Sequence, residues 1–214
     1  MMKNYGIPVA AEGWPFIGPL AIITAVLFAF GWRTAGTVAL VLTLFVLFFF
    51  RDPERKVPAG KDLVVSPADG RVIVVKDVYE PDYLKQEVKQ VSIFLSVFNV
   101  HVNRAPLGGT VETVKYNPGK FHVASVDKAS SDNEQTAMVI SDGTHRILVK
   151  QIAGLIARRI VCYARPGDTV AAGQRYGLIR FGSRVDIFLP KDTDLMVQIG
   201  DRIKGARDVI GVLK

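Results

Sequence analysis

Hydrophobic positions crowd the start of the chain. From Pro15 to Gly31 and from Ala35 to Phe50 the residues are almost all apolar, and only Trp32-Arg33-Thr34 separates the two runs. Each run falls a little short of the roughly 20 residues that span a hydrocarbon core about 30 Å thick. Trp32 and the flanking residues can sit at the interfaces and lengthen both. A tight transmembrane helical hairpin is therefore expected over residues 1–50. A pair of buried core helices or an interfacial hairpin would satisfy the backbone polar groups as well. The second run follows at once with no small-residue cleavage site between them, which argues against a removable secretory signal.

Past Arg51 the pattern changes. Residues 51–62 form a polar connector with Pro53, Pro58 and Gly60, and mark a boundary. Short β-rich runs then recur at Leu63–Ser66, Arg71–Val78, Val91–Val97, Val111–Tyr116, Ala137–Ser141, Ile147–Ile152, Arg159–Tyr163, Val185–Leu189 and Asp208–Leu213. Turn residues separate many of them, as in Ala68-Asp69-Gly70, Asn117-Pro118-Gly119, Ser141-Asp142-Gly143 and Arg165-Pro166-Gly167-Asp168. Only Glu80–Lys89 reads as a helix, and the polar stretch Lys120–Glu134 reads as a long loop. The expected fold is mainly β: a helical hairpin followed by one compact antiparallel sandwich or distorted barrel over residues 63–214.

Charge sharpens this division. Residues 1–50 carry only Lys3, Glu12 and Arg33, a contribution of +1 to a net charge of +7, so the remainder of the chain holds +6. A basic domain tethered beside a bilayer attracts anionic headgroups. Nucleic acid is not expected as a partner, because there is no helix-turn-helix, zinc-ligand spacing or aromatic-rich basic stripe. Arg51, Arg55 and Lys56 follow the second apolar run and Lys3 precedes the first. Both ends of the hairpin should thus face the cytoplasm, with the soluble part on that side of the cell membrane. The lone Cys162 can form no internal disulfide, which agrees with a reducing compartment.

Common catalytic signatures are missing: no phosphate-binding Walker loop, dinucleotide fingerprint, His-Glu-x-x-His helix or Gly-x-Ser-x-Gly elbow. His101, His122 and His145 are scattered, and none stands at helical spacing with a carboxylate, so no metal is expected.

The stretch Tyr176-Gly-Leu-Ile-Arg-Phe-Gly-Ser-Arg-Val-Asp-Ile-Phe-Leu-Pro190 resembles the processing site of the phosphatidylserine decarboxylases, particularly their short prokaryotic form. Further matches follow in order along the chain: Phe50-Arg51-Asp52-Pro53-Glu54-Arg55, Ser66-Pro67-Ala68-Asp69-Gly70, Asn99-Val100-His101-Val102-Asn103-Arg104-Ala105-Pro106, Asn133-Glu134 and Gln151-Ile152-Ala153-Gly154. The resemblance implies a proenzyme that cuts itself between Gly182 and Ser183, turning Ser183 into a pyruvoyl group and leaving a large chain 1–182 with a small chain 183–214. Decarboxylating an amino acid leaves a carbanion, and no standard side chain offers the ketone needed as an electron sink. It also implies that phosphatidylserine condenses with that carbonyl, loses carbon dioxide and is released as phosphatidylethanolamine. Asp69 and His101 match the family's acid-base positions. Longer members carry a second histidine in His-x-x-His-x-Pro, where this chain has Arg104, a residue suited to binding the substrate carboxylate or phosphate.

Two other readings compete. Ala68-Asp69-Gly70-Arg71-Val72 and Pro166–Gln174 resemble turns of biotinyl and lipoyl-type carrier domains, although no modifiable lysine at a Met-Lys-Met-like tip accompanies them. A decarboxylase of a related serine-containing headgroup is the other. Headgroup, acyl preference and homo-oligomer formation are left open at this stage.

Overall fold

The computed structural model describes residues 8–119, 133–154, 159–180 and 182–214. Among the described residues, those up to Glu54 and those from Arg55 onward form two compact units. The expected loop Lys120–Glu134 lies, as far as residue 132, outside the described residues, as does His122.

In the first unit a 3-10 turn (Ala11–Gly13) leads into α1 (Trp14–Ala29), and α2 (Arg33–Phe49) runs back after a turn at Phe30–Trp32. Pro15 stands in the first turn of α1, where a missing N–H is tolerated. Backbone bonds tie the open ends of the pair: Ala10 N–H donates to the Phe50 carbonyl at 2.8 Å, and Asp52 N–H to that of Pro8 at 2.7 Å. Midway, the Thr24 and Thr43 hydroxyls lie 3.1 Å apart, and they also bond the carbonyls of Leu20 and Ala39. Polar side chains therefore meet in the seam, while Ile22, Val26, Phe28, Val38, Val41 and Leu44 point outward and are exposed. This inverts the pattern of a water-facing helix pair. Residues Ala11–Ala29 are long and apolar enough to cross a membrane by length and composition; Arg33–Phe49 is shorter.

The second unit is built from antiparallel strands. An eight-stranded curled sheet contains β2 (Gly70–Glu80), β3 (Gln86–Leu95), β5 (Gly109–Asn117), β6 (Gln135–Ser141), β7 (Arg146–Ala153), β9 (Thr169–Val170), β11 (Ser183–Pro190) and β13 (Arg202–Ile203), ordered β13-β2-β3-β11-β7-β6-β5-β9. A three-stranded sheet β4-β10-β8 is formed by Val102–Arg104, Arg175–Ile179 and Ile160–Cys162. A second small sheet, β1-β14-β12, is formed by Leu63–Val65, Val209–Val212 and Asp194–Leu195. Bulges in β2 and β5 interrupt the register and help the large sheet curl.

β11 is the central strand, paired with β3 on one side and β7 on the other. Its Val185, Ile187 and Leu189 alternate into the main core with Val91, Ile93 and Leu95 of β3 and Ile147 and Val149 of β7. Each such buried aliphatic side chain contributes roughly 1.5–3 kcal/mol. Phe188 points to the other face and packs with Leu84, Val88, Ala137, Val139 and Leu148.

The expected helix at Glu80–Lys89 is a hairpin instead. β2 continues to Glu80, β3 starts at Gln86, and Glu80 pairs with Gln86. Glu80 Oε2 accepts the N–H groups of Tyr83 and Leu84, both at 2.8 Å, and Lys85 takes the left-handed conformation at φ +56°. Pro81 and the Leu84–Val88 spacing imitate a helix start, but both apolar side chains serve the small second core beside Phe188. Strand β10 was also absent from the expected set, because Gly177 interrupts its apolar pattern.

Candidate active site

Ser183 is the first residue of β11, facing Leu95 of β3 and Ala153 of β7. The residue before it, Gly182, has φ +61°, and a Cβ there would meet nothing within 4 Å. The backbone thus turns in a conformation that an L-residue adopts at a cost, just before entering the rigid centre of the sheet. Ser183 shares the face of Val185 and Ile187 and is 0% exposed. Its Oγ has no hydrogen-bond partner among the described residues. Such a buried hydroxyl is costly and needs an explanation. Opposite it, both backbone groups of Ala153 are engaged by another segment: the N–H donates to Glu134 O at 2.9 Å, and the carbonyl accepts Asn133 Nδ2 at 2.7 Å.

The sequence-matched segments around Asp69, His101 and Asn133–Glu134 converge on the same end of the sheet. Asp69 directly precedes β2, and Arg71 pairs with Phe94, whose own partner across β3 is Arg184. Asp69 therefore stands about two strand spacings from Ser183, on the order of 10 Å. Its Oδ1 accepts Gly205 N–H at 2.8 Å and its Oδ2 the Arg55 Nη2 at 3.0 Å. His101 is 1% exposed, and its carbonyl accepts Ile179 N–H at 3.4 Å, which places it against the end of β10 from which the chain passes to Ser183. Arg104 N–H bonds Pro67 O at 2.9 Å, joining the Ser66–Gly70 loop to β4, and Arg104 Nη1 donates to Gly173 O at 3.2 Å. Arg104 is buried rather than at the surface. Among the described residues, neither His101 nor Asp69 is hydrogen-bonded to Ser183 Oγ.

Several further polar residues of the matched motifs meet near Ser183 without a separate signal in the sequence. Gln151 Nε2 donates to Asn103 Oδ1 at 2.8 Å, a buried link between the large sheet and β4. Gly177 makes this approach feasible, since a Cβ there would collide with the Val161 carbonyl oxygen and press on Gln151 Nε2. On the opposite face of β11, Arg184 Nε binds Asp186 Oδ1 at 2.6 Å and its Nη2 binds Ser92 Oγ at 2.7 Å, while Gln90 Nε2 reaches Asp186 Oδ2 at 3.1 Å. Strand alternation suggests a solvated face for Arg184 and Asp186; both are buried instead. Gln151 and Asn103 lie inside the quoted motifs, and that was their only signal.

Burial pushes the Tyr176 phenol well above its usual 10.0, with the Cys162 thiol adding to the effect. Burial likewise raises Cys162, which stays a thiol and a poor nucleophile. Among the described residues no group of three or more His, Cys, Asp or Glu side chains is placed to hold a metal ion.

A family model described as phosphatidylserine decarboxylase matches residues 42–211. The chain belongs to the phosphatidylserine decarboxylase family. The matched span runs from within α2 to β14 and contains every motif gathered at the sheet end. Phosphatidylserine decarboxylase proenzymes are similar to this chain over nearly its whole length. That of Syntrophotalea carbinolica is 50% identical, covering 100% of both chains. That of Symbiobacterium thermophilum is 50% identical over 96% of this chain and 95% of its own, and that of Geobacter sulfurreducens 48% over 99% and 100%.

Proposed function

We propose that this chain is a membrane-held proenzyme that cuts itself at Gly182–Ser183 and then decarboxylates phosphatidylserine to phosphatidylethanolamine. The observation that carries the reading is the buried, unbonded Ser183 hydroxyl next to a left-handed glycine at the mouth of the central strand. The names of the relatives, each a proenzyme, support it.

Maturation needs only groups of the chain and water. Ser183 Oγ attacks the Gly182 carbonyl carbon while a base, assigned to His101 and oriented by Asp69, takes the hydroxyl proton. The peptide C–N bond breaks, leaving an ester and a free amine. Removal of the Ser183 Cα proton then expels the Gly182 carboxylate, and water replaces the amine nitrogen, which leaves as ammonia. The large chain ends at 182 and the small chain begins at 183 with a pyruvoyl group. The residues fit that group. Ser183 is already buried, its side chain needs no partner to be given up, and Arg184 behind it is fixed by Asp186 and Ser92. A pyruvoyl group at position 183 would supply a carbonyl able to accept the substrate amine and to act as the electron sink for decarboxylation. His101 and Asp69 manage protons beside it, and Arg104, through its planar fork of donors, holds substrate carboxylate or phosphate.

The hairpin (residues 1–50) lies in the cell membrane and the connector (51–62) leads to a catalytic domain (63–214) on the cytoplasmic side. Lys3, Arg51 and Lys56 flanking the apolar runs support that orientation. The intact mass of purified protein tests the whole reading: two fragments, 1–182 and 183–214, are expected, the smaller with a blocked amino terminus. A single unprocessed chain in an active preparation would refute it.

A further inference from the structure

We infer that Arg55 is a positioning residue for self-cleavage, holding Asp69 in the orientation that the base requires. The inference rests on the role proposed for Asp69 in maturation.

The sequence groups Arg55 with Arg51 and Lys56 as basic residues behind an apolar run, a role that any surface cation could fill. The structure separates them. Lys56 is exposed, whereas the Arg55 side chain is 12% exposed and reaches Asp69, itself 11% exposed, at 3.0 Å. Solvated ion pairs contribute little, but a covered charge-assisted bond has a definite geometry.

A carboxylate that orients a base must itself be prevented from turning. The loop under Asp69 is already pinned: Ser66 Oγ donates to Ala68 O at 2.7 Å, Ala206 N–H to Ser66 O at 2.8 Å, and Arg104 N–H to Pro67 O at 2.9 Å. What those bonds leave undetermined is rotation of the side chain. Gly205 N–H holds one carboxylate oxygen and Arg55 the other. Arg55 comes from the connector behind the apolar helices and Gly205 from beyond the cleavage point, so the carboxylate is clamped between the two future fragments.

The test follows fragment formation in the full-length proenzyme, synthesised without cells in the presence of phospholipid vesicles, for Arg55→Met, Arg55→Lys and Asp69→Asn, with a thermal melt of each. Arg55→Met keeps the length and packing of the side chain without its charge. It should slow cleavage about 10-fold or more, the scale of a misplaced catalytic group, while melting close to the parent. Arg55→Lys, which restores the charge, should recover most of the rate. Parental cleavage in Arg55→Met with Asp69→Asn impaired would overturn the inference alone. Parental cleavage in Asp69→Asn would overturn the role of Asp69 and the inference with it. An Arg55→Met chain that melts far below the parent, or an Arg55→Lys chain as slow as Arg55→Met, would make Arg55 a packing residue and overturn the inference too.

Discussion

Ser183 combines two properties that a structural serine seldom has together: full burial and a hydroxyl with no partner. An unbonded buried hydroxyl costs on the order of 1–3 kcal/mol. Ser183→Ala removes that penalty along with the proposed nucleophile. The variant should therefore remain a single chain and melt no lower than the uncut parent, which mass spectrometry and a thermal melt together would check. Cleavage persisting in Ser183→Ala would place the reactive bond elsewhere. His101→Ala and Asp69→Asn should slow fragment formation by about 100-fold or more, the scale of a lost general base. Arginine stays protonated at any relevant pH, so Arg104→Ala should still cut itself and instead raise the phosphatidylserine concentration needed for half-maximal carbon dioxide release. Failure of Arg104→Ala to mature while still folded would move Arg104 into the cleavage machinery.

The hairpin β2–β3 shows how a single side chain decides an element. Glu80 is 2% exposed, accepts two backbone N–H groups of the turn and lies 3.4 Å from Lys150 Nζ, a cation that also sits over the Tyr83 and Phe188 rings. Glu80→Ala leaves two turn donors and a largely buried ammonium without their partner. A loss of about 3 kcal/mol is expected, read as a lower urea midpoint of the uncut Ser183→Ala chain, where fragment dissociation cannot blur the transition. A loss below about 1 kcal/mol would mean that water replaces the carboxylate fully. The apolar helices show the reverse balance. Their Thr24–Thr43 contact is a single polar link in the seam, while the apolar side chains around it face outward.

At the scale of the molecule, the proposed cleavage would turn contacts along the chain into contacts between two fragments. β11 sits between β3 and β7, β14 pairs with β1, and His145 Nε2 lies 2.9 Å from the Lys214 backbone oxygen. The His145 pKa is raised above 6.5, first by that bond to Lys214 and then by the Asp142 carboxylate, against a modest opposing effect of burial. A raised folded-state pKa means that the protonated ring stabilises the fold. The contribution is complete below about pH 6.5 and is lost as pH rises through the raised value. Denaturation of parent and His145→Gln at pH 6 and pH 8.5 should therefore show a stability gap that shrinks at the higher pH. A gap that widens would reverse the sign assigned to His145.

The sequence by itself determined the apolar helix pair, the mainly β class and the family, and it singled out Gly182–Ser183 for the proposed cleavage. Unbroken apolar runs, period-two alternation and a rare ordered set of motifs are local properties that survive without knowledge of packing. It also pointed to the segments carrying Asp69 and His101, because each lies in a matched motif. It misread Glu80–Lys89, where a carboxylate folding back on its own turn outweighs helical spacing. It gave no hint that Arg184 and Asp186 are buried, because alternation marks faces without saying whether both are covered. Only the tertiary structure showed that Arg55 reaches Asp69 and Gln151 reaches Asn103. Those pairs are 14 and 48 positions apart in the chain, and their partners are chosen by how the sheets curl together, which no short stretch of sequence encodes.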